Sequence, residues 1–221
     1  MPNRRGEDLK TTFRIVDTSE VGRAHAWHSG FAAANDAIFP RTAKAFYDLT
    51  RDRSVWCAIT DDDEIVGMSY ASMSDDETEV EIGGLMVSAK TRGRGIGDVM
   101  MRLPLVHFLV MERPFRSERP PTIVAHALRG NEMPGRIITR AGFEFHDEVC
   151  IPPEVLPGLR TGADGMVHGD EYRLKLPDAL HHLADWLDGW NDVLRDGSSA
   201  AISTLPDETL ADWATVLRSM A

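Results

Sequence analysis

The order of apolar and polar positions along the chain predicts a mixed α/β fold. Short apolar or alternating runs, typical of strands, occupy residues 11–16, 55–59, 65–70, 79–87 and 121–128. Apolar residues at helical spacing predict helices over residues 20–38, 42–50, 97–111 and 131–140. Pro104 is expected to kink the third of these helices. The last two strands are expected at residues 143–145 and 171–176, on either side of a loop rich in proline and glycine at residues 151–169.

The pattern changes after Pro177, where the predicted strands give way to helices. Apolar residues recur at helical spacing over residues 180–194 and again over residues 210–217. We therefore predict a domain of residues 1–177 and a C-terminal helical extension of residues 178–221. Aromatic residues on the helices of the extension are typical of a core or of a helix–helix contact. The two apolar faces are also a candidate seam for a homodimer.

Length and charge narrow the class of protein. With 221 residues the chain is long enough for one well-buried core. The formal net charge of −11 argues against a nucleic-acid-binding protein, because such proteins need a basic surface to neutralise phosphates. Two interpretations of the acidity stay open. It serves solubility alone, or it forms a negative cleft that concentrates a cationic acceptor such as a polyamine, an aminoglycoside or a basic peptide.

Residues typical of metal sites lack the spacing that such sites need. Cys57 and Cys150 are isolated, each in an apolar stretch, and are expected to be buried free thiols rather than disulfide or zinc cysteines. His181 and His182 lie on a predicted amphipathic helix without matching cysteines or carboxylates. The sequence therefore predicts no metal.

Membrane and export signals are also missing from the pattern. The longest apolar run, residues 103–111, is interrupted by Pro104 and His107 and is too short to span a bilayer. Residues 1–8 are polar and lack the apolar region of a signal peptide. The expected location is the cytoplasm by default.

A glycine-rich loop between the strand at residues 79–87 and the third helix carries the clearest chemistry. Its residues 92–97 read Arg-Gly-Arg-Gly-Ile-Gly. Glycines let successive backbone N–H groups converge, and the new helix adds its positive N-terminal end, so the segment suits a pyrophosphate. The glycine spacing matches neither the Rossmann fingerprint nor the Walker loop.

This segment resembles the acyl-CoA loop of the GNAT superfamily, the GCN5-related N-acetyltransferases. The loop pattern Q/R-x-x-G-x-G/A is matched by Arg92, Gly95 and Gly97. A second family feature, an asparagine followed by a short helix and Gly-Phe, is matched by Asn131 and by Gly142 with the phenylalanine that follows it. The resemblance covers about residues 11–177. It implies a mostly antiparallel central sheet whose two central strands splay apart, flanked by helices.

The resemblance also implies a coenzyme A site and acetyl-CoA as the co-substrate. Leu85, Met86 and Val87 would pair their backbone with the pantetheine arm, and Asn131 would contact the cofactor near the thioester. A bulge at Gly83-Gly84 would start the splay and expose an amide that polarises the thioester carbonyl. The loop residues implied to hold the pyrophosphate are Arg92, Gly93, Arg94, Gly95, Ile96 and Gly97.

The resemblance implies direct attack of an amine on acetyl-CoA, which needs a base and benefits from a proton donor. Glu81 is the candidate base, acting through water, with a surface carboxylate as the ordinary alternative. The family often places a donor tyrosine four residues before the Gly-Phe glycine, and Ile138 stands there. Another group or solvent must therefore donate. The candidates are Tyr172, His126, Tyr70 and His168, with a structural role as the ordinary alternative for each, because a strand tyrosine usually packs its ring and a histidine in an apolar strand is usually a core residue.

The predicted function is therefore N-acetyl transfer to a small-molecule or peptide amine that the sequence does not identify. The missing tyrosine at Ile138 motivates the alternative, a non-catalytic module of the same fold that binds acyl-CoA or serves as a scaffold. No G-x-S-x-G elbow appears, so hydrolase chemistry has no support.

Overall fold

The computed structural model describes residues 10–114 and 118–221. Residues 1–8, on which the signal-peptide expectation rests, lie outside the described part. The described residues form eight strands: β1 Thr11–Ile15, β2 Val55–Thr60, β3 Ile65–Met73, β4 Glu79–Val87, β5 Thr122–Leu128, β6 Phe143–Ile151, β7 Val167–Leu174 and β8 Ala200–Ile202. They also form six α-helices: α1 Val21–Ala33, α2 Ala43–Arg51, α3 Ile96–Glu112, α4 Glu132–Arg140, α5 Asp178–Asp188 and α6 Leu210–Arg218.

All eight strands belong to one sheet in the order β6-β7-β5-β4-β3-β2-β1-β8. Neighbouring strands are antiparallel except for the pairs β4–β5 and β1–β8, which are parallel. The predicted fold class, a mixed and mostly antiparallel sheet flanked by helices, is confirmed. Within the described ranges, no helix has both the length and the apolar character that crossing a membrane requires.

Helices cover both faces of the sheet, and this explains why every residue of β2 is buried. Side chains alternate along a strand, so Trp56 packs into the core beneath α3, α5 and α6, whereas Cys57 packs with the residues of α1 and α2 on the other face. Burial raises the pKa of the Cys57 thiol to about 12, in keeping with its prediction as a buried free thiol.

Cys150 is exposed, so its predicted burial is wrong. The reason is the position of β6 at the edge of the sheet, where most of its side chains face solvent. The same exposure explains why only residues 143–145 of this strand were predicted. A strand without a buried face carries no clear apolar alternation from which to recognise it.

The C-terminal segment is built into the same sheet and core as the rest of the chain. β8 pairs in parallel with β1, which the sequence analysis did not predict. The apolar faces of α5 and α6 are buried within the chain, where Leu183, Trp213 and Leu217 join the core cluster that includes α3. These faces, considered above as a homodimer seam, are therefore covered intramolecularly.

Candidate active site

A bulge in β4 opens the centre of the sheet. Met68 of β3 lies opposite Met86 and Tyr70 lies opposite Gly83, so β4 has one residue more than β3 between these pairs. Gly84 adopts a positive φ of 60°, and a Cβ there would overlap the Tyr70 ring, which restricts the position to glycine. The bulge that Gly83 and Gly84 predicted is present.

The two parallel strands separate next to this bulge. In the described part of the chain, β4 pairs with β5 only from Glu79 to Glu81, although both strands continue well beyond that point. A cavity of about 440 Å³ lies at the separation. Its lining includes Glu81, Gly84 and Leu85 of β4, His126 of β5, Ile138 of α4, and Asn131. The splay implied by the resemblance is thus a real opening with side chains around it.

A loop and the segment between α1 and α2 complete the wall of the cavity. Phe39 and Arg41 come from the segment between the two helices. The loop between β6 and β7, residues 152–166, contributes Val155, Leu156 and Leu159. The cavity therefore combines an apolar side with a cluster of charged groups, as a site for an organic substrate does.

Glu81 and His126 form the central contact of the cavity. The Glu81 Oε1 atom lies 3.2 Å from His126 Nδ1, at hydrogen-bond distance. Val124 is the register partner of Glu81, and His126 is two residues further along β5, so strand alternation places all three side chains on one face. The other ring nitrogen, Nε2, lies 3.7 Å from Glu171 Oε2, and Arg41 Nη2 lies 3.8 Å from Glu81 Oε2.

The surroundings shift the proton affinities of the pair in opposite directions. Burial alone would raise the pKa of Glu81, but the His126 hydrogen bond and the charges of His126 and Arg41 leave it lowered. Burial alone would lower the pKa of His126, but Glu81, followed by Glu171 and Glu79, leaves it raised. Glu81 is therefore a carboxylate that holds a basic imidazole, and His126 is the stronger proton acceptor of the two.

Tyr70 supplies a buried hydroxyl beside the bulge. Arg41 Nε donates a hydrogen bond of 3.1 Å to the phenolic oxygen, which leaves the phenol's own proton for donation. Burial, followed by the opposing charge of Arg41 and the reinforcing charge of Glu81, raises the pKa of Tyr70. The phenol therefore stays protonated at neutral pH.

The structure does not bring Tyr172 to this cavity. Its ring lies on the other side of α4 in a depression of about 620 Å³, where its hydroxyl approaches Gly135. Asn131 lines both the cavity and this depression. His168 lies elsewhere again, because its neighbours Val167 and Gly169 line the cavity while His168 lines a third depression.

The glycine loop lies at the start of α3, as predicted. Gly93 and Gly95 have positive φ values of 83° and 96°, and Gly95 immediately precedes the helix. The Gly95 carbonyl accepts from Asp98 N at 3.1 Å, so the N–H groups that precede Asp98 lie ahead of the hydrogen bonds of the helix, a position that suits an anion. A Cβ at Gly93 would meet nothing within 4 Å, so the loop is open on that side.

Residues of the C-terminal segment form hydrogen bonds with the other side of the glycine loop. Arg94 Nε bonds Asp196 at 2.9 Å, and the Arg94 carbonyl accepts a hydrogen bond from Arg195 N at 3.0 Å. Arg195 Nη2 in turn reaches Asp98 Oδ2 in the first turn of α3 at 2.8 Å. The Arg94 side chain is thus engaged in fixing the loop to the segment.

Sequence reasoning missed Arg41 and the apolar loop residues. Arg41 lies between two helices without a motif, and only its contacts with Tyr70 and Glu81 reveal it. Val155, Leu156 and Leu159 belong to a loop whose proline and glycine content predicted irregular structure and nothing about which side chains face a cavity. Leu85 lines the cavity, and Met86 and Val87 pair with Met68 and Gly67 of β3 along the edge of β4 that faces away from β5.

Comparison with known proteins agrees with the resemblance stated above. Residues 23–105 match the model of the acetyltransferase (GNAT) family. That range includes Glu81 and the glycine loop but ends before His126 and Asn131. No curated protein matches the sequence of the chain.

Solved structures with the same fold include several acetyltransferases. A GNAT-family acetyltransferase from Streptococcus pneumoniae superposes with a TM-score of 0.55 at 8% identity, over 74% of this chain and 98% of that one. A ribosomal-protein-alanine N-acetyltransferase from Brucella melitensis superposes with a TM-score of 0.54 at 15% identity, over 74% of this chain and 99% of that one. The protein yncA from Salmonella typhimurium was solved with its cofactor acetyl-CoA. It superposes with a TM-score of 0.55 at 15% identity, over 76% of this chain and 95% of that one. The resemblance to the GNAT superfamily is confirmed, and at these identities the structures establish the fold alone.

Proposed function

We propose that this chain, which has the fold of the GNAT acetyltransferases, transfers an acetyl group from acetyl-CoA to an amine. The observation that carries the proposal is the Glu81–His126 pair in the cavity where β4 and β5 separate. A proton acceptor, a protonated phenol and an interrupted strand meet there. Direct transfer to an amine needs the proton acceptor and the opening in the sheet and benefits from the phenol, and the proposal needs no covalent enzyme intermediate.

The residues around the cavity fit acetyl-CoA as the donor. Backbone N–H groups of residues 92–97 would bind the pyrophosphate. β4 has no described pairing with β5 beyond Glu81, so its backbone at residues 85–87 is suited to the pantetheine arm. Asn131 would contact the arm near the thioester, because it lies at the end of the cavity that is shared with the second depression.

In the proposed reaction, His126 removes the proton that makes the acceptor an ammonium ion. Glu81 holds the imidazole and stabilises its charge after the transfer. The freed amine nitrogen forms a bond to the thioester carbon while a backbone N–H near Leu85 or Met86 stabilises the negative oxygen. The carbon–sulfur bond then breaks, the thiolate leaves, and the new amide nitrogen gives up its remaining extra proton to water.

Tyr70, rather than Tyr172, is proposed to protonate the departing thiolate. Its ring packs on Gly84 at the bulge, and the proton that it gives up returns from solvent. Ile138 occupies the cavity wall where the family often has a tyrosine, and its side chain carries no hydroxyl. Tyr70 of β3, which lines the same cavity, supplies one instead. A coenzyme A thiolate resembles a cysteine with a pKa of about 8.5, so this donor accelerates the step without being indispensable.

The acceptor is proposed to be a small-molecule or peptide amine with a positive charge. Glu79 also lines the cavity and Glu171 lies beside His126, so three carboxylates surround the proposed proton acceptor. Such a cluster attracts ammonium groups. The apolar wall of Val155, Leu156 and Leu159 would contact carbon atoms next to the amine. A homodimer and a cytoplasmic location stay predictions, and a dimer would have to use surfaces other than the buried faces of α5 and α6.

A thiol-release assay tests the proposal. The protein is incubated with acetyl-CoA and a panel of polyamines, aminoglycosides, amino acids and short peptides, and free coenzyme A is followed with a thiol reagent. The proposal predicts amine-dependent release for at least one class, and His126→Gln should slow it by about 10²–10⁴. Tight binding of acetyl-CoA by calorimetry without release for any amine would favour the non-catalytic alternative.

A further inference from the structure

A cysteine and a histidine face each other at the edge of the sheet, away from the proposed active site. Cys150 of β6 and His168 of β7 are register partners in the antiparallel pair. Side chains of directly opposed residues lie on the same face, with Cβ atoms about 5 Å apart. Cys150 is exposed and His168 is partly exposed, so both are accessible from solvent.

Asp164 completes this pair from the end of the loop between β6 and β7. A tight turn, in which Gly162 N bonds the Met166 carbonyl at 2.7 Å, presents the Asp164 carboxylate to the strand. Both carboxylate oxygens lie 2.9 Å from His168 Nε2. One ligand atom from each of Cys150, Asp164 and His168 lies within 4.8 Å of the others.

We propose that Cys150, Asp164 and His168 bind a zinc ion. Zinc bonds of about 2.3 Å to sulfur and about 2.0 Å to nitrogen and oxygen place tetrahedral ligand atoms roughly 3.3–3.6 Å apart. The sulfur must approach and the imidazole and carboxylate must separate slightly, which side-chain rotations accomplish. A thiolate, a carboxylate and a neutral imidazole carry two negative charges in total, which balance the ion. The fourth position is left for water.

The ligand set selects zinc rather than magnesium or calcium. Thiolate and imidazole suit zinc, whereas the two hard cations prefer oxygen ligands alone. Two arginines, Arg129 and Arg160, lie in the same depression as His168, but both are engaged. Arg129 forms an ion pair with Glu148, and Arg160 donates to the Arg129 carbonyl.

Bound zinc would fix one end of the loop that walls the active-site cavity. Asp164 belongs to this loop, whereas Cys150 and His168 belong to the strands on which the loop stands. The same loop carries Val155, Leu156 and Leu159 into the cavity wall. The proposed ion therefore links the loop to the sheet. Its existence does not depend on acetyl transfer.

Cobalt titration of the full chain, freed of metal, tests the site. Co²⁺ replaces Zn²⁺ and reports its ligands, because a thiolate ligand gives a near-ultraviolet charge-transfer band and four-coordination gives intense visible bands. We expect the charge-transfer band and the visible bands to be complete at one equivalent of Co²⁺ and to disappear when Zn²⁺ is added. Cys150→Ser should abolish the charge-transfer band, and Asp164→Asn and His168→Gln should each weaken binding by more than about a hundredfold. The exposed His181→Gln is the matched control and should bind like the parent.

Absence of the charge-transfer band, or equal zinc affinity in Cys150→Ser and the parent by calorimetry, would overturn the proposal. The proposed role of zinc in linking the loop to the sheet is measured separately, by limited proteolysis. Zinc should slow limited proteolysis within residues 152–163 in the parent and leave the cleavage rate unchanged in Cys150→Ser. Equal cleavage of the parent with and without zinc would overturn that role.

Discussion

The proton on His126 is the residue-scale feature on which the proposed chemistry depends. A histidine accepts a proton only when it is neutral, and the carboxylates of Glu81, Glu171 and Glu79 raise its pKa above the ordinary 6.5. The neutral form therefore becomes abundant only above that pH. The same shift stabilises the fold below pH 6.5, and this stabilisation is lost as pH rises through the folded-state pKa.

Glu81→Gln should move the pH dependence of catalysis. The wild-type kcat/KM is expected to rise with pH through an inflection above 6.5. Removing the Glu81 charge weakens the effect that raises the His126 pKa, so the inflection should shift to lower pH. His126→Gln should lower kcat by about 10²–10⁴ at pH values above the inflection, where the wild-type imidazole is neutral. An inflection at the same pH in Glu81→Gln would remove this carboxylate from the proton-transfer step.

Tyr70→Phe should lower kcat by about tenfold, because a thiolate leaves without a donor at some cost. The phenylalanine keeps the ring that packs on Gly84 and removes only the hydroxyl that accepts from Arg41. Tyr172→Phe is the matched control, since that hydroxyl lies beyond α4, and it should leave kcat nearly unchanged. Single-turnover rates measure both. A larger loss in Tyr172→Phe than in Tyr70→Phe would contradict the assignment of the donor.

At the scale of elements, α3 runs through Pro104 because β3 compensates for the proline. A proline in a helix cannot donate to the carbonyl four residues earlier, which here belongs to Met100. The Ser69 hydroxyl of β3 donates to that carbonyl instead, and both residues are buried. The strand therefore satisfies a polar group of the helix that would otherwise be buried without a partner.

Ser69→Ala should destabilise the protein by about 1–3 kcal/mol, the usual cost of an unsatisfied buried acceptor. In a Pro104→Ala background, the new backbone N–H can serve the Met100 carbonyl, so the same substitution should cost much less. Urea unfolding of the four proteins measures this coupling. An equal cost in both backgrounds would show that Ser69 acts through something other than this carbonyl.

The elements that the sequence predicted well are those with a buried face. β2, β3 and β4 carry apolar runs, and the loop before α3 follows from its glycines. β8 was missed because three residues give no periodicity, and β6 was predicted too short because most of its side chains are exposed. In the site, the sequence indicates Glu81 and His126 as separate candidates. Their contact depends on the β4–β5 register, which the sequence alone does not reveal.

At the scale of the whole molecule, a buried histidine joins the C-terminal segment to the sheet. His107 of α3 is 6% exposed and packs against both Trp56 of β2 and Trp213 of α6, with ring centroids 5.7 and 5.9 Å away. Burial, followed by the charge of Arg53, lowers its pKa to about 4. The ring is therefore neutral at pH 7, and charging it would disrupt the contact between the segment and the sheet.

Acid should weaken the fold through this histidine. Between pH 6.5 and about 4, the unfolded chain binds a proton at residue 107 that the folded chain does not, so stability falls as pH falls. The expected slope is up to about 1.4 kcal/mol per pH unit for each such group. His28, whose pKa burial also lowers to about 4, adds a similar dependence. Urea unfolding at several pH values should show a shallower slope for His107→Phe than for the parent, and an unchanged slope would contradict this account.

The central claim concerns the whole molecule, because the loop before α3, the gap between β4 and β5 and the cavity must bind one ligand together. A crystal structure of the protein with acetyl-CoA tests it most directly. The account predicts pyrophosphate oxygens within hydrogen-bond distance of backbone N–H groups in residues 92–97 and the thioester in the cavity beside Glu81, His126 and Tyr70. A complex in which the loop contacts no phosphate, or in which the thioester lies outside that cavity, would contradict it.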